Sequence, residues 1–234
     1  MMNRVITFLF LLIVANSCSY TVGSGNIVTE KRSVEIFEQL SVSGPFEVQV
    51  KIGTAYEVMV QADDNIIKYI ETTVSNKKLK IRTENLHNFS NVTMKIYITT
   101  PFLSSVKASA AANVVILDVL KSSKKLVFTT SSAAEIVSEV KAPEIQNIAS
   151  SGSLIKLSGK TKNYYAEASS GADIKTGNLL SENTTVSASS GASIKAYASF
   201  NLKATASSGA DIIYTGSAAV NKTTSSGGSI EKYN

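Results

Sequence analysis

The chain has 234 residues, of which 18% are charged, 7% are aromatic and none is tryptophan, and its formal net charge is +5. Serine, threonine, alanine and β-branched residues abound, which suits an all-β chain and argues against a helical or disordered one. The basic residues are scattered, in close pairs such as Lys77-Lys78 and Lys124-Lys125, so a clustered nucleic-acid-binding face is not expected.

In chain order, Arg4 precedes an apolar run, Val5–Ala15, of 11 residues. That is too short to span a bilayer and has the form of an export leader. It ends at Val14-Ala15-Asn16-Ser17-Cys18. Cys18 is the single cysteine, so no intramolecular disulfide can form. Its position resembles a bacterial lipoprotein cleavage site, which makes residues 1–17 a signal peptide and Cys18 the lipidated residue. Ordinary cleavage after Ala15-Asn16-Ser17 is the competing reading, and the chain is exported under either. Residues 18–29 are polar, with Gly23 and Gly25, and read as a lipidated tether to the membrane.

Residues 30–105 read as a strand-rich region. Val34–Phe37, Gln39–Val42, Phe46–Ile52, Tyr56–Ala62, Thr72–Val74, Lys78–Thr83 and Thr93–Thr99 are candidate strands. Phe46, Val48, Val50 and Ile52 alternate with Glu47, Gln49 and Lys51, the mark of a half-buried strand. Asp63-Asp64-Asn65 before Ile66–Ile70 reads as the capped start of a short helix. Asn76-Lys77 reads as a turn, and Ser43-Gly44-Pro45 as an irregular first copy of a bend that recurs later.

From residue 106 to 234 the chain repeats itself. Ala168-Ser169-Ser170-Gly171-Ala172-Asp173-Ile174 returns at Ala188–Ile194, Ala206–Ile212 and Thr224–Ile230, with weaker copies at Ala149–Ile155, Thr130–Ile136 and Ala108–Val114. Successive reference positions (Ala111, Ala133, Gly152, Gly171, Gly191, Gly209, Gly227) are 22, 19, 19, 20, 18 and 18 residues apart. Within each copy the hydropathy alternates with period two, as in Ala166, Ala168, Ser170, Ala172 and Ile174, so the unit is strand-based. Strands that cannot bury a face alone must stack on their copies. The expected fold is all-β: a right-handed parallel β-helix of about seven stacked coils, with residues 30–105 capping or leading into it. Val114, Ile136, Ile155, Ile174, Ile194, Ile212 and Ile230 form its inward file. The glycine position marks a bend needing an unusual backbone angle. Ala111 and Ala133 depart from glycine, so the first coils are expected to bend differently.

The chemistry is sparse. His87, the single histidine, sits in a polar stretch and reads as a loop residue. One histidine and one cysteine cannot supply a zinc site, and no cofactor motif is present. No nucleophile elbow occurs. Asp173 and Asp211 fall in one outward column with Ser193 between them, about 10 Å apart. That is wide for a carboxylate pair cleaving glycosides. The recurring serine before each bend (Ser169, Ser189 and Ser207 among its copies) forms, with Asp173 and Asp211, a candidate surface ridge for a ligand. The plainer reading is that these hydroxyls bond the backbone of their own bend.

Ser43-Gly44 with Phe46–Val50, Asp64-Asn65-Ile66 before Tyr69–Thr72, Leu79-Lys80-Ile81 and the Ser-Ser-Gly-Ala-Asp-Ile repeats together resemble the putative auto-transporter adhesin head domain, or GIN domain, over residues 33–232. The resemblance implies a β-helical, exported or lipid-anchored protein of Gram-negative bacteria, with no catalytic residue to carry over. The expected protein is therefore a non-enzymatic, lipid-anchored cell-envelope protein, placed at the outer membrane and acting in adhesion, binding or structure. Its expected partners are the membrane, through the lipid, and a glycan or protein ligand. Copies of the chain could also meet through the coil ends. The alternative is a β-helix enzyme acting on polysaccharide.

Overall fold

The computed structural model describes residues 20–84 and 88–233. The leader, Cys18 and His87 lie outside the described residues. The inward file forms as expected: Val114 stands opposite Ile136, and Ile155, Ile174, Ile194, Ile212 and Ile230 follow, each in parallel register with the next. Every member but Ile230 is buried. The file runs on below the repeats through Val48 and Ile96. The fold is all-β, a solenoid of stacked parallel coils of about 6 turns. Seven bends delimit six windings.

One winding shows how the period is spent. Asp173–Lys175 pairs with Leu154–Lys156, the segment Leu179–Ser181 with Gly159–Thr161, and Asn183–Ala188 with Asn163–Ala168. The chain thus makes three short sides before each bend. Ala166, Ala168, Ala172 and Ile174 are buried, while Glu167 and Lys175 are exposed. At one corner Gly159, with φ +116°, lies so close to the Val140 carbonyl that a Cβ would overlap it at 2.0 Å. Glycine is needed there for space as well as angle.

The bend follows one rule. Ser170 and Gly171 both take positive φ, 52° and 69°, and the Ala172 N–H donates to the Ser169 carbonyl at 3.2 Å. Two left-handed residues under an i to i+3 bond are the signature of a type I′ turn. The middle N–H is not wasted: Gly171 donates to Ser190 of the next coil at 3.0 Å. The first coils do not bend differently. Ala111 and Ala133 take φ 63° and 60°, preceded by Ala110 and Ser132 at 53° and 52°. Alanine bears the modest left-handed strain, roughly 1–2 kcal/mol per residue, because the interstrand bonds hold it there. The strict alternation read through the repeat fails at one residue: Ser170 is exposed, since the turn breaks the pleat.

Below residue 100 the order of stacking departs from the order of the chain. Gln39–Ser43 lies between Lys78–Thr83 and Ser105–Ser109, and Glu47–Ile52 between Met94–Thr100 and Asn113–Ile116. The end is closed by antiparallel strands: Glu57–Asp63 on Met94–Thr100, Ile27–Arg32 on Glu57–Asp63, and Ile70–Ser75 on Lys78–Thr83. Asn76 and Lys77 make the last of these hairpins with φ 51° and 57°. At Ser43-Gly44-Pro45 the bend is irregular, as expected, and the buried Phe46 ring packs on Gly44, where a Cβ would meet it at 2.8 Å.

Three local expectations are corrected. Val34–Phe37 is not a strand, although Phe37 is fully buried and packs edge-on against Tyr56. The short helix read at Ile66–Ile70 is a single 3-10 turn, Ile67–Tyr69, and it lacks the expected side-chain cap. The stretch 18–29 is not a free tether from Tyr20 onward: Tyr20–Val22 pairs with Asn88–Ser90 and Ile27–Arg32 joins the main sheet. The residues read as a helix cap hold this segment instead. Asp63 carboxylate oxygens accept the Gly25 N–H at 2.7 Å and the Thr93 N–H at 2.8 Å. Asp64 accepts from the Ser24 hydroxyl at 2.6 Å and the Asn26 amide at 2.8 Å, and Asn65 donates to the Val22 carbonyl at 2.8 Å.

Inside the stack, polar side chains bond one another. Asn147 Nδ2 donates to the Tyr164 hydroxyl at 2.9 Å, and that hydroxyl shares a 3.0 Å bond with Thr176. Burial pushes the Tyr164 hydroxyl well above the ordinary tyrosine range, so it stays neutral.

Candidate functional site

The expected serine ridge is offset by one residue. Ser169, Ser189 and Ser207 are half-buried, and the exposed crest of the corner is Ser170, Ser190 and Ser208. The proposed local role for the first column is not seen either. In this serine column only Ser109 Oγ bonds a carbonyl, that of Val42 on the neighbouring coil, at 3.4 Å. The bend is closed by main-chain bonds instead. Asp173 and Asp211 share an outward file with Ser193 between them. Two strand spacings separate them, about 10 Å. Among the described residues no group of three or more His, Cys, Asp or Glu side chains could hold a metal ion.

The structure assembles a feature that the linear sequence hides. Lys121 stands opposite Lys141 and Lys141 opposite Lys160. Lys156, Lys175 and Lys195 form a second file on an adjoining side. All six are exposed, and none forms an ion pair among the described residues. Like charges directly opposite one another destabilise a sheet. In bulk water the repulsion is about 1 kcal/mol at 4 Å, which long side chains relieve by splaying. The first windings treat a similar contact differently: Glu47 and Lys95, also register neighbours, pair at 3.4 Å.

Each file borders a groove. One groove, about 540 Å³, has Lys141, Lys160 and Lys162 with Leu180, Tyr197 and Glu182. The other, about 370 Å³, has Lys156, Lys175 and Lys195 over Val137 and Leu157, with Glu139. Each therefore carries three cations and one anion. Serine hydroxyls and Asn178 complete the walls. Nearby, Asn163, Asn183 and Asn201 form an amide ladder, Asn183 donating to Asn163 at 3.1 Å and Asn201 to Asn183 at 2.9 Å. The lysine files were within reach of the sequence. Steps of 20 and 19 residues join Lys121, Lys141 and Lys160, and steps of 19 and 20 join Lys156, Lys175 and Lys195. These are the repeat's own period.

Among the described residues, no helix is long and apolar enough to cross a membrane. The family model described as "Putative auto-transporter adhesin, head GIN domain" matches residues 36–218. No curated protein matches the chain. Solved structures do. A putative adhesin from Bacteroides fragilis superposes with a TM-score of 0.85 at 18% identity, over 91% of this chain and 100% of that one. A putative lipid binding protein from Parabacteroides distasonis gives 0.78 at 19% identity, over 92% and 100%. A putative adhesin from Parabacteroides merdae gives 0.74 at 18%, over 92% and 99%. At these identities the likeness is one of fold.

Proposed function

Because the chain belongs to the putative auto-transporter adhesin, head GIN domain family, we propose that it is an exported, non-catalytic binding module of the cell envelope, held at the outer membrane by a lipid on Cys18. The observation that carries this reading is the side wall of the solenoid. Main-chain ladders satisfy the backbone within the stack, so the outward side chains are free to present a long, rigid and repetitive surface. Such a wall suits an elongated ligand, a glycan or a protein. The corner carrying Ser169, Ser189, Ser207, Asp173 and Asp211 is one part of it. The spacing of Asp173 and Asp211 across Ser193 supports binding over glycoside cleavage.

Two measurements test the two halves of the proposal. Replacing Cys18 by Ala is expected to move the protein from the membrane to the soluble fraction of cells, and unchanged partition into membranes removes the anchor. A glycan array probed with the full chain, produced as C18A, is expected to show bound glycans. A blank array counts against adhesion to carbohydrate.

A further inference from the structure

We propose that the two lysine-lined grooves bind a linear acidic polysaccharide, one bearing carboxylate or sulfate groups. This deepens the reading of the chain as a binding module and rests on it. Three observations converge. Lys156, Lys175 and Lys195 are stacked one per coil, about 4.8 Å apart, as are Lys141 and Lys160, with Lys162 two residues along the same coil as Lys160, and none of the stacked five has an acidic register neighbour. An arrangement that costs the fold something is expected where function demands it. The lysines border grooves lined also by hydroxyls, an amide and apolar side chains, Val137 and Leu157 in one and Leu180 in the other. Hydroxyl and amide groups meet sugar hydroxyls, the apolar side chains meet the apolar faces of sugar rings, and the ammonium groups meet the acid groups.

Other anionic partners fit less well. The grooves cross strands that are already paired to the coils above and below, so an acidic peptide has no strand edge to extend. A single-stranded nucleic acid asks for stacked aromatic rings, and Tyr197 is the one aromatic lining either groove. A bilayer is a plane, whereas these sites are recessed. The ligand is therefore a chain lying along the stack, its charges taken up by successive coils.

The test uses the full chain, produced as C18A, with heparin and polygalacturonate as acidic polysaccharides. Dextran serves as the neutral one, polyglutamate as a non-sugar polyanion, and phosphatidylglycerol vesicles as an anionic surface. Heparin or polygalacturonate is expected to bind, and to bind about tenfold or more weakly as salt rises from low to several hundred millimolar. The triple variants K156Q/K175Q/K195Q and K141Q/K160Q/K162Q are each expected to lose affinity by about tenfold or more. Their melting temperatures should be unchanged or higher, since repulsion is relieved. Equal binding by both lysine variants and the parent overturns the proposal. So does polyglutamate or vesicle binding as tight as that of the acidic polysaccharides. Binding of neutral glycans with no preference for acidic ones also overturns it, while leaving the adhesion reading in place.

Discussion

At the N-terminal end of the stack, Glu57–Asp63 pairs antiparallel with Met94–Thr100 and Ile27–Arg32 pairs antiparallel with it in turn, and Asp63 at the end of its strand is buried. At the other end, Ala219–Thr224 has a partner on one side only, and every residue in it is exposed. One end is closed by chain reversal and buried hydrogen bonds. The other is an open winding whose main guard is a charge: Lys222, aligned with the inward Ala204, lies over the Tyr214 ring at 4.8 Å and donates to the Ile230 carbonyl at 3.2 Å. An inward-pointing lysine is a recognised way to blunt a strand edge. The difference shows that a repeat can stop wherever it carries such a guard, whereas its start needs a dedicated structure.

Substitutions along one file sharpen this contrast most. Leu202 and Val220 are register neighbours, yet Leu202 is 2% exposed and Val220 38%. Leu202→Ala is expected to cost about 2–5 kcal/mol and Val220→Ala within about 0.5 kcal/mol, both read from urea unfolding. Comparable losses would mean that the last winding is as well covered as the others. Next comes Asp63→Ala, which leaves the Gly25 and Thr93 amides without their acceptor. A loss of about 2–3 kcal/mol is expected, with faster amide exchange across Tyr20–Arg32. Normal protection there would show that the segment is held by its strand pairing alone.

Lys222→Ala should change stability by about 1 kcal/mol or less. Its larger effect is on assembly: sedimentation over a range of concentrations should show more self-association than in the parent, and Lys222→Arg should restore the parent behaviour. A variant that stays monomeric would discount the lysine as a guard. Acid gives the smallest and most local effect. Hydrogen bonds from Ser24 and then Asn26 hold the exposed Asp64 carboxyl below the ordinary aspartate range. A group with a depressed folded value stabilises at neutral pH. That contribution fades as pH falls below the unfolded value, about 3.9, and through the lower folded one. Protection of the Ser24 and Asn26 amides should therefore drop in that window before protection of Gly191, which is bonded to Ser208 across the stack. Simultaneous loss would mean global unfolding.

Much of the stack is legible in the sequence because two periods reinforce each other. Alternation assigns Ile174 to the inside, and the step of 18–20 residues places Ile194 and Ile212 above it. Ser170 is misplaced by the same logic, since two left-handed residues interrupt the pleat without altering residue count. Asp63-Asp64-Asn65 misleads because a helix cap and a clasp use one chemistry, a side-chain oxygen accepting N–H groups. The acceptors' partners lie about 40 residues away, beyond any local pattern. The lysine files look scattered until the repeat is used as a vertical axis. Of the candidate site, the aspartate file is visible from spacing alone, whereas the grooves depend on how corners such as Gly159 turn the chain.

The winding from Gln39 to Ile52 lies between segments made later, Lys78–Thr100 on one side and Ser105–Ile116 on the other. Its neighbours must both emerge before it is enclosed, so the founding layer is the last of the early ones to be sealed. After that, each increment of 18 to 22 residues docks on a finished platform. Gene duplication of one increment between Gly171 and Gly191 would preserve every hydrogen bond above and below the insertion. The molecule can thus be lengthened in its upper storeys, with a longer cationic track through a second copy of Lys175, while its foundation admits no such growth.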